Sequence, residues 1–323
     1  MRALLLRGPR QAEVVEVPRP TPGPEEVLLR VRACGVCGSD LNAWRGVPGL
    51  EYPRPAGHPG HEVWGEVVEP APGRGEAVEP APGRGEAVEP ARGGTVAALA
   101  QAGFAEFTLA RADQVVPLPG ALGERPFLGE PLACAANVVR RAEARPDDAV
   151  AVVGFGYLAA LVVLLLDPAR QRRWVAVSRR PDSRALAQKL GAAATYSFDD
   201  VPSDCWDAFP VVIEAAGVQH ALDYASWLVA YGGRLVIAGY HADGPRSVNM
   251  QTWNWKGIDV VNAHERRPEV YLRGLRSGIE TVRRHGLDLR GLISDVWPLE
   301  EAREAFTALE ERPSGFIKAV LQP

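Results

Sequence analysis

Ala149-Val-Ala-Val-Val-Gly154-Phe-Gly156-Tyr-Leu-Ala159 constrains the fold of this chain more than any other stretch. An apolar, β-branched run leads into two spaced glycines and then into an apolar segment of helical length. A G-x-G-x-x-A pattern alone is weak evidence; a strand before it and a helix after it are what a dinucleotide site requires. Gly154 allows the tight turn, and Gly156 lets a pyrophosphate approach the backbone. Ala159 stands where a third glycine is usual and is small enough for close helix-to-strand packing. The phosphates would sit at the positive end of the helix that begins near Tyr157. The same rhythm then continues. Strand Arg173–Val177, helix Ser183–Leu190, strand Val211–Ala215, helix His220–Ala230, strand Arg234–Ala238 and an edge strand Ile258–Asn262 alternate as in a doubly wound parallel sheet. Ala215 and Gly239 fall at strand ends, where such a sheet binds its cofactor.

The end of the second strand bears on the choice of cofactor. An NAD site usually places Asp or Glu there to hold the ribose hydroxyls, and that carboxylate repels a 2′-phosphate. Here the position is Ser178, followed by Arg179 and Arg180. A neutral hydroxyl and two cations put NADP ahead of NAD, although two arginines at a strand end also suit a solvated surface.

A second concentration of chemistry lies between Cys34 and Glu62. Cys34-Gly-Val-Cys37-Gly-Ser39-Asp40 and Gly57-His58-Pro59-Gly60-His61-Glu62 bring sulfur, nitrogen and oxygen donors into one short length of chain. Such a set suits Zn²⁺, and three protein ligands with one open position mark a catalytic site. Cys34 and Cys37 also form a C-x-x-C, which can be a redox pair or half of a structural zinc site. A redox pair belongs at the start of a helix beside a βαβ pattern. Here the pair follows the alternating run Val27–Ala33, and no second C-x-x-C occurs.

Gly35-Val-Cys37-Gly-Ser-Asp40 with Gly60-His61-Glu62-x-x-Gly65-x-Val67 resembles the zinc-dependent medium-chain dehydrogenases, the alcohol and polyol dehydrogenase superfamily. The resemblance extends over essentially the whole chain. It implies an α/β protein with a GroES-like, partly open β-barrel catalytic domain (1–137 and 272–323) and a Rossmann domain (138–271). It makes Cys37 and His61 zinc ligands, rather than Cys34 and His58. Glu62 matches a glutamate that ligates zinc directly in some members and lies just behind it in others. Glu130, in Glu130-Pro-Leu, matches a polyol-branch glutamate that holds zinc or its water, with Cys134 as the competing candidate. Ser39 matches the hydroxyl that passes the alcohol proton towards solvent, and Asp40 a carboxylate that orients His61. The implied reaction is hydride transfer between a secondary alcohol, polyol or sugar and NAD(P), with one catalytic zinc per chain. Related enzymes often hold a structural zinc with four close cysteines. No cysteine lies between Cys37 and Cys134, so that ion is not expected. Two other readings are a zinc-free quinone reductase of the same fold and a nucleotide-binding pseudoenzyme.

The remaining sequence narrows the partners. A net charge of −4 over 323 residues offers no field for nucleic acid or an anionic membrane, and no apolar stretch reaches the length of a span. Met1–Arg7 is too short and too quickly charged for a signal peptide. Four cysteines, two of them candidate ligands, argue for a reducing cytoplasm rather than a disulfide scaffold. Val68–Ala77 recurs without change as Val78–Ala87, followed by a truncated third copy to Ala91. This proline- and glycine-rich repeat reads as a duplication tolerated in a surface loop. The apolar edge strand 258–262 predicts a homodimer or homotetramer, because an unpaired edge recruits another.

Overall fold

The computed structural model describes residues 1–71, 91–169 and 171–323, so most of the repeat lies outside it. The chain divides into two units, Met1–Pro131 with Asp288–Pro323, and Leu132–Leu287.

The first unit opens with an antiparallel pair, β1 (Arg2–Gly8) and β2 (Gln11–Glu16). β3 (Glu26–Gly35) follows, then a short helix α1 (Leu41–Arg45), β4 (Glu62–Glu69), β5 (Thr95–Leu99), β6 (Phe107–Arg111) and β7 (Val115–Pro117). Ala105 makes only a single bridge to Ala3, and regular pairing begins at Phe107. Helix α2 (Gly129–Ala142) carries the chain into the second unit.

There β8 (Val150–Val153), α3 (Tyr157–Leu166), β9 (Trp174–Val177), α4 (Pro181–Lys189), β10 (Ala194–Tyr196), β11 (Phe209–Glu214), α5 (Gln219–Leu228), β12 (Val229–Ile237), α6 (Met250–Lys256) and β13 (Asp259–Asn262) succeed one another. Six parallel strands form a sheet in the order β10-β9-β8-β11-β12-β13, the doubly wound order. Helix α7 (Pro268–His285) ends the unit. The chain then returns through β14 (Asp295–Pro298), α8 (Ala302–Glu311) and β15 (Ala319–Gln322). β14 and β15 join the first unit's sheet, whose order is β14-β15-β3-β4-β5-β7 with β6 also on β3.

Helix α7 was expected with the catalytic domain, but its apolar face places it in the second unit. Gly278 and Gly274 lie against Leu132 and Ala133 of α2, and Leu275 and Val282 are buried. Helix α6 and strands β10 and β14 had no clear sequence signal. Trp255 on α6 is 78% exposed. Trp253 does pack, donating from Nε1 to Ser226 Oγ at 3.0 Å. The inward face of α6 is taken instead by Lys256. Its ammonium donates to the carbonyls of Ser226, Trp227 and Val229, closing the end of α5. Lysine occurs only at 189, 256 and 318, and the last two are buried.

Candidate active site

The pairing of β3 with β4 brings the two donor-rich pieces together. Gly35 stands opposite Glu62 and Cys34 opposite Val63, so the chain leaving β3 meets the chain entering β4. Gly35 is needed for this approach: a Cβ there would lie 1.9 Å from Glu62 Oε2. Beyond Gly35 the backbone turns through Cys37 into a 3₁₀ turn, Gly38–Asp40. Asp40 is 1% exposed and closes the turn by accepting the Cys37 N–H at 2.8 Å.

Donor atoms of Cys37, His61 and Glu62 all lie within 4.8 Å of one another. The orientation of His61 is set by its Nδ1, which is 3.2 Å from Asp40 Oδ1 and 2.9 Å from the Pro59 carbonyl. Both neighbours accept, so Nδ1 carries the hydrogen and Nε2 is left for a ligand. Ser39 Oγ lies 3.5 Å from that Nε2. Burial disfavours a charged imidazole, yet Asp40 and Cys37 outweigh it and hold His61 well above the usual histidine range, so a metal at Nε2 would take the place of a proton. Cys34 faces the core instead, and burial pushes its thiol far up, the wrong direction for a thiolate ligand.

Glu62 has a partner that sequence reasoning missed. Lys318 Nζ donates to Oε1 at 2.7 Å and lies 2.6 Å from Oε2, with both side chains almost wholly buried. Among the described residues Oε2 accepts no hydrogen bond of acceptable geometry, so a buried oxygen of the carboxylate grouped with Cys37 and His61 retains acceptor capacity. That observation and the chemistry of the donor set both fit a zinc ion. The available signal for Lys318 was a single cation in the otherwise apolar run Phe316-Ile-Lys-Ala-Val-Leu321.

Glu130 occupies the first turn of α2 and does not join the 4.8 Å group. Cys134, one turn later, places its sulfur beside the Tyr271 hydroxyl. No disulfide joins any of the four cysteines among the described residues.

In the second unit the glycine turn has the expected form. Gly154 has φ +83°, and a Cβ there would lie 2.5 Å from that of Ala216. Gly156 is the N-cap of α3, and Ala159 is buried on that helix. Ala215 N–H donates to the Val153 carbonyl at 2.8 Å, joining the turn after β11 to the glycine turn. Ser178 is buried at the end of β9, Arg179 is exposed and Arg180 is the half-buried N-cap of α4. Arg184 braces this corner, donating to the carbonyls of Ser178 and Arg179 at 2.8 and 2.9 Å. Gly239 N–H reaches the Glu214 carbonyl at 2.8 Å.

Residues 23–120 match the family model of the alcohol dehydrogenase GroES-like domain, and residues 161–276 match that of the zinc-binding dehydrogenases. D-arabinitol dehydrogenase 1 of Uromyces fabae is 24% identical over 350 aligned positions, covering 100% of this chain and 97% of that protein. (R,R)-butanediol dehydrogenase of Bacillus subtilis is 28% identical over 284 positions, covering 80% and 84%. A thermostable alcohol dehydrogenase from Pyrobaculum aerophilum superposes with a TM-score of 0.81 at 25% identity, covering 100% of this chain and 99% of that one. A GroES-like unit and a doubly wound unit, each matched by its family model, are the two parts of a zinc-binding dehydrogenase family member. The chain belongs to the zinc-dependent medium-chain dehydrogenase/reductase superfamily.

Proposed function

We propose that this protein is a zinc-dependent oxidoreductase that moves a hydride between a secondary alcohol, polyol or sugar and NAD(P). The observation that carries the reading is the convergence of Cys37, His61 and Glu62 within 4.8 Å, with His61 oriented by Asp40. Relatives named for arabinitol and butanediol support the substrate class. Cys37 and His61 would hold the ion, with Glu62 as an adjacent ligand; Glu130 is proposed to act on it through water. When bound, zinc would supply Lewis-acid polarisation of the substrate oxygen. Ser39 offers a hydroxyl beside the ligand nitrogen of His61, where it can take the alcohol proton and pass it outward. The reaction balances as alcohol plus NAD(P)⁺ giving carbonyl, NAD(P)H and one proton. A zinc-free reductase has no use for this donor set, which argues against that alternative.

NADP is the preferred cofactor in this reading, with Ser178 removing the repulsive carboxylate and Arg179 and Arg180 offering cations to the 2′-phosphate. A homodimer or homotetramer is proposed through β13, an edge strand carrying the half-buried Val260 and Val261. The protein is proposed to act in the cytoplasm; among the described residues no helix is long and apolar enough to cross a membrane. Oxidation of a panel of polyols, sugars and secondary alcohols with each cofactor tests the assignment. Turnover of at least one such substrate supports it. Reduction of quinones alone, or no turnover by zinc-replete protein, overturns it.

A further inference from the structure

The loop between β12 and α6 is held in place almost without apolar burial. Tyr240 is 55% exposed and Val248 41%, and the residues between them are exposed or half-buried. Its position therefore depends on polar ties, and these converge on one side chain. Glu214, at the carboxyl end of β11, is 0% exposed. Its Oε1 accepts the N–H groups of Ala216 and Gly217 at 2.8 and 2.7 Å. Its main-chain oxygen accepts those of Ala238 and Gly239, both at 2.8 Å. Its Oε2 is 3.0 Å from Nε2 of His241, and Nδ1 of the same ring is 2.8 Å from Arg246 Nε. Arg246 also donates to the Gly217 carbonyl at 2.9 Å and pairs with Asp243.

The donor and acceptor roles leave one arrangement. A guanidinium can only donate, so Nδ1 must present its lone pair. A carboxylate that already accepts two backbone N–H groups accepts again, so Nε2 carries the hydrogen. His241 thus links an anion to a cation, one ring nitrogen donating and the other accepting. Through it the loop after β12 is fastened to the loop after β11. That second loop in turn lies against the glycine turn, through Ala215 and Ala216. These are the carboxyl ends of β8, β11 and β12, the edge of the sheet on which a dinucleotide lies.

We propose that Glu214, His241 and Arg246 form a clamp that holds the two cofactor-facing loops in the conformation that binds the nicotinamide dinucleotide. His241 is its positioning residue. This rests on the nicotinamide-dependent reading above. The clamp acts on loops outside the apolar core between β11, β12 and α5, so its loss loosens the loops without melting the sheet.

The test is direct titration of the purified full-length protein with NADH and with NADPH, followed by fluorescence, alongside thermal unfolding and steady-state kinetics. His241→Ala should raise the dissociation constant of the preferred cofactor by about tenfold or more, the loss of a hydrogen bond to a charged group. The Michaelis constant for cofactor should rise with it, and kcat at saturating cofactor should fall far less. His241→Gln keeps one donor and one acceptor and should recover most of the affinity. Arg246→Ala, which leaves the His241–Glu214 bond intact, should weaken binding in the same sense and decides the matter if His241→Ala unfolds. Unchanged affinity in both alanine variants, or no recovery with Gln, overturns the clamp while leaving the proposed reaction standing. Failure of the wild type to bind either cofactor overturns both.

Discussion

Replacing Lys318 with Met should destabilise the sheet unit sharply, and replacing Glu62 as well should return much of the loss. Lys318 and Glu62 are 6% and 1% exposed at their side chains, with N–O distances of 2.6 and 2.7 Å. Removing one partner of such a pair strands the other charge away from water, at a cost of about 3–5 kcal/mol, whereas removing both is often neutral. For a unit of this size each kcal/mol shifts the midpoint by roughly 2–4 °C, so Lys318→Met should lower it by about 10 °C. Zinc adds a second readout. In Lys318→Met the Glu62 carboxylate has lost its cation, and added zinc should restore more stability than it adds to the wild type. Thermal unfolding of wild type, Lys318→Met, Glu62→Gln and the double variant, each with and without zinc, forms the cycle. A loss below about 1 kcal/mol in Lys318→Met, or strictly additive effects, refutes the argument that this is a coupled, desolvated pair.

Other consequences follow from the same geometry. Gly35→Ala forces a methyl group onto the Glu62 carboxylate; zinc retention after dialysis should drop several-fold even where the protein stays folded. Arg179→Ala with Arg180→Ala should weaken NADPH binding by roughly 2–4 kcal/mol and leave NADH nearly unchanged, as isothermal titration would report. Equal losses for both cofactors would make the arginines surface residues. Burial raises the Glu310 carboxyl, but hydrogen bonds from Arg45 and Arg10 outweigh it and leave it below its ordinary value. A carboxyl lowered on folding stabilises above its unfolded value and loses that contribution as pH falls through the folded one. The midpoint difference between wild type and Glu310→Gln should therefore shrink as pH falls from about 6 to about 3. Charged substitutions at Val260 and Val261 on the β13 edge should shift the sedimentation of the protein to monomer.

The second unit was legible because its signals are local. Apolar runs, a glycine turn and helix-length segments recur in order, and the parallel sheet follows from their alternation. The short elements escaped for the opposite reason. β10 is three residues of mixed polarity, and α6 has Trp255 pointing outward and Lys256 inward, against the usual helix pattern. In the site, Cys37, His61 and Asp40 were legible because each lies in a short motif. Lys318 was not, since it meets Glu62 only when β15 pairs with β3. His241 and Arg246 are polar loop residues in sequence, and only their shared contact with Glu214 distinguishes them. Glu130 carried a family motif, yet it is not one of the three donors that lie within 4.8 Å of one another.

Zinc stoichiometry of the purified chain, measured by elemental analysis after zinc-supplemented expression and dialysis, bears most directly on the proposed chemistry. The Cys37, His61 and Glu62 group predicts about one ion per chain in the wild type, falling to background in Cys37→Ser and in His61→Ala and persisting in Cys34→Ser. Two ions per chain, none, or one ion that survives both ligand substitutions would contradict it.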